Sequence, residues 1–151
     1  MPDTAEAEDL LALERQVCFA LAATSRSVIG LYRPILEPLG LTHPQYLVML
    51  ALWEQSPRTV RSLADALYLE PATLTPLLRR LEGIGYLTRA RNVDNERELK
   101  VELTAVGTQL RQRAERVPVE VVERLGVPLE ALEELRDRLN ETLAATRRAG
   151  G

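Results

Sequence analysis

The chain has 151 residues, 46% of them hydrophobic and 27% charged, with a formal net charge of −3. This balance suits one compact subunit with a real core, and the negative charge argues against a protein that simply coats nucleic acid. No apolar run reaches the length of a membrane span, the start "MPDTAEAEDL" lacks the basic and apolar regions of a secretory signal, and one cysteine makes no internal disulfide. A cytoplasmic protein with no membrane contact is therefore expected.

Charge is uneven along the chain. Residues 1–57 carry 3 basic and 7 acidic side chains, residues 58–100 carry 8 and 6, and residues 101–151 carry 8 and 9. Only the middle third has a positive balance, a weak footprint for nucleic acid.

In chain order, Leu10, Leu13, Val17, Leu21, Val28 and Leu31 recur at helical spacing over 8–32, and Pro34 and Pro38 are expected to end that helix. Thr42 and Gln45 fit a capping box, with His43 the first residue of the helix that "LTHPQYLVMLALWEQ" restarts. "SPRT" breaks it. "VRSLADALYL" is a short helix, and "EPATLTPLLRRLEGIG" is a second, closed by Gly83 and Gly85. Pro76 fits only near a helix start, which places that start at about Pro71 to Thr73.

The period then changes. "YLTRAR" and "RELKVEL" read as strands, with Leu99, Val101 and Leu103 alternating against Glu98, Lys100 and Glu102, and "NVDNE" joins them as a hairpin loop. From Thr104 to about Arg147 the pattern is helical, broken by Pro118 and by "LGVP" at 125–128. The expected fold is mainly α with a small β-wing: a winged helix–turn–helix at 42–104, an N-terminal dimerisation helix at 1–41 and C-terminal dimerisation helices at 105–151. Terminal helices with apolar stripes and little else to bury them point to a homodimer.

The candidate recognition helix is 72–84. Leu74, Leu77, Leu78 and Leu81 form its inward face, and Thr73, Thr75, Arg79 and Arg80 are left for solvent or DNA. Short polar side chains approach base edges, and arginine reads guanine or holds phosphates. Alone, such a helix reads as a solvated surface; the short helix before it and the wing after it favour DNA. The wing adds Arg89 and Arg91 on one strand and Arg97 just past the loop, suited to a narrow minor groove or to local salt bridges with Asp94 or Glu96. The full DNA-facing set is Pro71, Ala72, Thr73, Thr75, Pro76, Arg79, Arg80, Arg89, Arg91, Asp94 and Arg97. A two-fold dimer presenting two such helices calls for an inverted-repeat operator.

No cofactor or metal is expected. One His and one Cys on different segments do not make a zinc set, no glycine loop fits a nucleotide pattern, and no serine sits in a nucleophile elbow. Trp53 and Phe19 are expected in the core. Cys18 has two readings, an inert core residue or a reactive thiol. Leu11, Cys18, Ser25 and Tyr32 recur every seven residues on one helix face, and Cys18 and Tyr32, about 21 Å apart along it, meet only across an antiparallel dimer.

The segments "LTHPQYLVMLALWE", "LYLEPATLTPLLRRLEGIGYLTR", the wing arginine and "VELTAVG" resemble the MarR family of bacterial winged-helix regulators, in its organic hydroperoxide resistance branch. "QVCFAL" at 16–21 is the most specific match, because that branch carries its peroxide-sensing cysteine there. The resemblance covers about residues 10–115. It implies a homodimeric repressor, not an enzyme, in which an organic hydroperoxide oxidises Cys18 and DNA is released. It gives Tyr32 and His43 a place in the sensor pocket of the other subunit, His43 standing where the pattern has a second tyrosine. The family's wing acid, two residues before the arginine, is Asn95 here, with Asp94 one residue earlier. Without a second cysteine, the chain resembles the one-cysteine type, whose sulfenic acid passes to a mixed disulfide with a small-molecule thiol or overoxidises. The alternatives are a MarR-type regulator of a small aromatic ligand with Cys18 structural, and a thiol peroxidase.

Overall fold

A computed structural model describes residues 4–91 and 98–150. By internal contacts the chain forms two units, residues 1–114 and 115–151.

The first unit opens with one long helix, α1 (Thr4–Leu36), followed by a 3₁₀ turn at Glu37–Leu39 and then α2 (His43–Glu54). Pro34 does not end α1 as expected. It removes one backbone bond in the last turn, but Ile35 and Leu36 beyond it are buried, and that burial holds the turn closed. The capping box forms: the Thr42 backbone N–H donates to Gln45 Oε1 at 3.0 Å, and the Gln45 N–H donates to Thr42 Oγ1 at 3.4 Å.

Next come β1 (Arg58–Thr59), α3 (Val60–Leu67) and α4 (Pro71–Ile84), then β2 (Leu87–Arg91), β3 (Leu99–Leu103) and α5 (Ala105–Ala114). The expected helix–turn–helix and wing are both present, but "SPRT" is more than a break. Arg58 and Thr59 pair with Val101 and Lys100, making a three-stranded antiparallel sheet of order β1-β3-β2. On the other side of β3, Leu87 pairs with Leu103 and Arg89 with Val101. Pro76 lies in the second turn of α4 rather than at its start. The helix persists because Leu74, Leu78 and Leu81 on either side are 1% exposed or less. Leu77, expected inward with them, is only half-buried. Gly85, with φ 101°, closes α4.

The core of this unit is built from Leu36, Val48, Met49, Leu52, Leu63, Leu74, Leu78, Leu81, Leu87 and Val101. It fixes α4 against α2 and α3 and leaves the polar face of α4 outside. Three bonds from outlying side chains tie the frame. Trp53 Nε1–H donates to the Gly107 carbonyl at 2.9 Å, the Tyr86 hydroxyl to the Leu39 carbonyl at 2.7 Å, and Arg113 to the Pro38 carbonyl at 3.0 Å. Trp53 is thus half-buried as a tie between α2 and α5. Phe19 contradicts the core expectation: on α1 it is 71% exposed, and its neighbours Val17 and Leu21 are exposed with it, so this part of the helix is not packed into the core.

The second unit contains α6 (Arg116–Leu125) and α7 (Leu129–Ala149). Pro118 falls in the first turn of α6, where its missing N–H has no partner to lose, so the break comes before it at Glu115. Gly126, with φ 65°, ends α6 as the "LGVP" signal indicates. Val117 and Val121 are buried, whereas Leu129, Leu135 and Leu139 of α7 are exposed.

Candidate DNA interface and thiol site

Two groups of side chains carry chemistry. The first is the outer surface of α4 with the adjoining strand β2. Pro71, Ala72, Thr73, Pro76, Arg79 and Arg80 are exposed on α4. Thr75 is half-buried, and its hydroxyl donates to the Pro71 carbonyl at 2.9 Å, leaving the oxygen lone pairs to accept. Arg91 is exposed at the end of β2. Asp94 and Arg97 lie outside the described residues.

Arg89 is engaged within the chain. Its backbone N–H donates to Glu82 Oε2 at 3.0 Å, and its Nε and Nη2 donate to Glu82 Oε1 at 3.3 and 3.0 Å. The guanidinium holds the Glu82 carboxyl below its usual range. Glu82 is in the last turn of α4, so this pair braces the wing strand against the recognition helix. Sequence reasoning gave Arg89 to DNA and passed over Glu82; the two are separated by the turn that closes α4, and no helical or strand period relates them.

The second group surrounds the start of α2. Tyr32 near the end of α1 and His43 at the first position of α2 pack edge to face, ring centroids 4.8 Å apart and planes at 64°. Tyr46 completes the cluster, 5.9 Å from Tyr32 and 6.4 Å from His43. Tyr46 is buried, whereas Tyr32 and His43 are half-buried and so open on one side. Sequence reasoning missed Tyr46, although its place three residues after His43 on a capped helix puts both on one face. Burial raises the Tyr32 phenol, and burial together with Tyr32 pushes Tyr46 up to about 12. Burial lowers the His43 imidazole below its ordinary value of 6.5. At neutral pH all three rings are uncharged, each with one N–H or O–H to donate.

Cys18 is exposed on α1. Because α1 is a continuous helix, Cys18 stands about 21 Å from Tyr32 along its axis, so this chain's own thiol and ring cluster do not meet. A cleft of about 720 Å³ opens beside the cluster, lined by Arg26, Ile29 and Arg33 of α1 and by Leu41 to Pro44.

A helix–turn–helix followed by an antiparallel wing, with a polar, arginine-bearing face on its second helix, defines a winged-helix DNA-binding protein. The MarR family profile matches residues 41–99. The chain is 43% identical over 110 residues to the organic hydroperoxide resistance transcriptional regulator of Bacillus subtilis (strain 168), an alignment covering 73% of this chain and 75% of that one. Among solved structures it resembles reduced AbfR bound to DNA, with a TM-score of 0.78 and 33% identity over 93% of this chain and 98% of that one. Overoxidised AbfR bound to DNA matches equally well, at 0.78 and 34%, with the same coverage. The chain belongs to the MarR family of DNA-binding transcriptional regulators. Among its described residues, no helix is long and apolar enough to cross a membrane.

Proposed function

We propose that this regulator is a homodimeric repressor that senses organic hydroperoxides through Cys18. The carrying observation is the trio Tyr32, His43 and Tyr46, three neutral donors packed together with Tyr32 and His43 open on one side. The relatedness to a hydroperoxide resistance regulator supports the same reading.

The seven-residue register supplies the geometry. Ser25 lies midway between Cys18 and Tyr32, about 10 Å from each along the helix. Two α1 helices crossing antiparallel at Ser25 bring Cys18 of one subunit to Tyr32 and His43 of the other, twice over. The stretch "ALAATS" at 20–25 has small side chains that permit a close crossing. Val17, Phe19 and Leu21 on α1 are exposed in the single chain and supply apolar area for such an interface.

In the reaction, the Cys18 thiolate attacks the outer oxygen of the hydroperoxide. The O–O bond breaks, the sulfur is oxidised by two electrons to a sulfenic acid, and the remaining alkoxide takes a proton and leaves as the alcohol. Donors from Tyr32 and His43 favour the thiolate before attack. A small thiol then condenses with the sulfenic acid, forming a mixed disulfide and releasing water. The added bulk and polarity where Cys18 meets the partner's ring cluster change the separation of the two α4 helices, which must meet successive major grooves about 34 Å apart. On DNA, Thr73, Thr75, Arg79 and Arg80 face the bases and phosphates of an inverted repeat, with Arg91, Arg97 and Asp94 contributing from the wing.

The test is a gel shift with cumene hydroperoxide, read beside mass spectrometry of Cys18 and a peroxide turnover assay with a thiol reductant. Release of DNA with a modified Cys18, restored by reductant and without sustained turnover, supports the repressor. Sustained turnover supports a peroxidase, and an unmodified Cys18 with DNA retained supports a regulator of another signal.

A further inference from the structure

Residues 1–57 carry only 3 basic side chains against 7 acidic ones, yet two of the three basic ones, Arg26 and Arg33, line the same cleft of about 720 Å³ beside the ring cluster. Neither makes a hydrogen bond or ion pair among the described residues. Glu37 shares the cleft and pairs with neither of them. Ile29, Leu41 and Pro44 give the cleft apolar surface. Gly30 lies on the same helix face, four residues after Arg26 and three before Arg33, and also lines the cleft. Glycine inside a helix is less stable than alanine. A Cβ at Gly30 would meet nothing within 4 Å, so no contact within the chain calls for glycine there. Its effect is to keep the cleft open between the two arginines.

Unpaired guanidiniums beside apolar surface suit a molecule with a carboxylate on a hydrocarbon chain. The planar fork of arginine matches a carboxylate, and the apolar residues suit the chain. In the antiparallel crossing, Cys18 of the other subunit stands at the level of Tyr32. Arg33 is next to that level, and Arg26 is about 9 Å from it along α1. We propose that Arg26 and Arg33 make this cleft selective for hydroperoxides that bear a carboxylate. Arg26 holds the carboxylate, Arg33 adds positive charge nearer the thiol, and the hydrocarbon lies over Gly30 toward Cys18 of the other subunit. This selectivity rests on the proposed peroxide-sensing function. The carboxylate takes no part in the reaction at sulfur, which is the one given above.

The test compares the hydroperoxide of an unsaturated fatty acid with its methyl ester, both in dilute solution, by the rate of Cys18 oxidation in the full-length reduced protein. The two oxidants differ only in the carboxylate. Wild type is expected to react about tenfold faster with the acid, the worth of one charge-assisted hydrogen bond. Arg26→Gln should slow the acid to the rate of the ester, and Arg33→Gln should narrow the gap. A second arm uses the matching hydroxy acid, which cannot oxidise sulfur, titrated into Cys18→Ser by calorimetry. Adding Arg26→Gln or Gly30→Leu, which fills the cleft from the helix side, should weaken that binding about tenfold. Equal rates with acid and ester in wild type overturn the proposal, as does hydroxy-acid binding that neither Arg26→Gln nor Gly30→Leu weakens. A wild-type Cys18 left unmodified by both oxidants, with the hydroxy acid still bound through Arg26, overturns the peroxide-sensing function and leaves the cleft as a carboxylate site.

Discussion

Glu82 and Arg89 share three hydrogen bonds, two from the guanidinium and one from the Arg89 backbone N–H, across the turn between α4 and β2. Only 20% of the arginine side chain is exposed. We propose that a guanidinium so occupied affects DNA binding through the angle of the wing. Glu82→Ala and Arg89→Ala are therefore expected to weaken operator binding by similar factors, and the double variant by little more than either. The slope of affinity against salt should stay near wild type. If Arg89 instead holds a phosphate, Arg89→Ala alone flattens that slope by about one unit. The carboxyl is held low, so the folded chain binds its proton less tightly than the unfolded one. The brace is complete above the ordinary glutamate range and is lost as pH falls through the lowered value.

His43 is half-buried, and that burial holds its pKa below 6.5. In the proposed sensor it serves the Cys18 thiolate as a neutral hydrogen-bond donor, and the positive end of α2 further disfavours the imidazolium. His43→Phe is expected to raise the Cys18 pKa and slow its oxidation, with DNA binding by the reduced protein nearly intact. His43→Tyr should keep most of the sensitivity. The rate of thiol alkylation against pH compares the three proteins; coincident curves make His43 a helix-start residue only. Stability carries the same signature. The unfolded chain takes up the His43 proton below 6.5 while the folded chain resists it, so wild-type stability falls as pH drops from 6.5 through the lowered value. That part of the pH dependence should vanish in His43→Phe, as urea unfolding above and below 6.5 would show.

The antiparallel crossing at Ser25 has its own test. In a Cys18→Ser background, Ser25→Cys places two thiols on the two-fold axis. Mild oxidation should then give a disulfide-linked dimer, since cross-linking needs Cα atoms within about 7 Å. Moving the cysteine one turn away, as in Ile29→Cys, should cross-link far less. Equal cross-linking at both positions contradicts the register.

Gly107 tests the frame that holds the site. A Cβ there would run into the Tyr86 backbone carbonyl and press on Leu103, while the Gly107 carbonyl accepts the Trp53 N–H. Gly107→Ala is expected to cost about 1–3 kcal/mol of unfolding free energy, read from urea midpoints.

Features governed by neighbouring residues were legible in the sequence. Thr42 and Gln45 announced the α2 cap, Gly85 the end of α4, and the alternation of Leu99, Val101 and Leu103 the strand β3. Features governed by distant burial were not. Pro34 and Pro76 carry strong local signals to stop a helix, and buried Leu36, Leu74 and Leu78 overrule them. The two residues of β1 form a strand only because β3 lies beside them. Within the proposed site, Cys18 and Tyr32 share a seven-residue register, His43 enters through the family resemblance, and Tyr46 was within reach of helical spacing. Glu82 as the partner of Arg89 depends on how the turn between them folds in space.

The central claim is that one sulfur atom couples peroxide to DNA. The most direct measurement is operator binding by Cys18→Ser with and without cumene hydroperoxide, beside wild type. Serine keeps nearly the size of the side chain and removes its redox chemistry. The variant is expected to bind as tightly as reduced wild type and to stay bound after peroxide, while wild type dissociates and rebinds on reduction. Release of Cys18→Ser by peroxide at the wild-type dose would contradict the account.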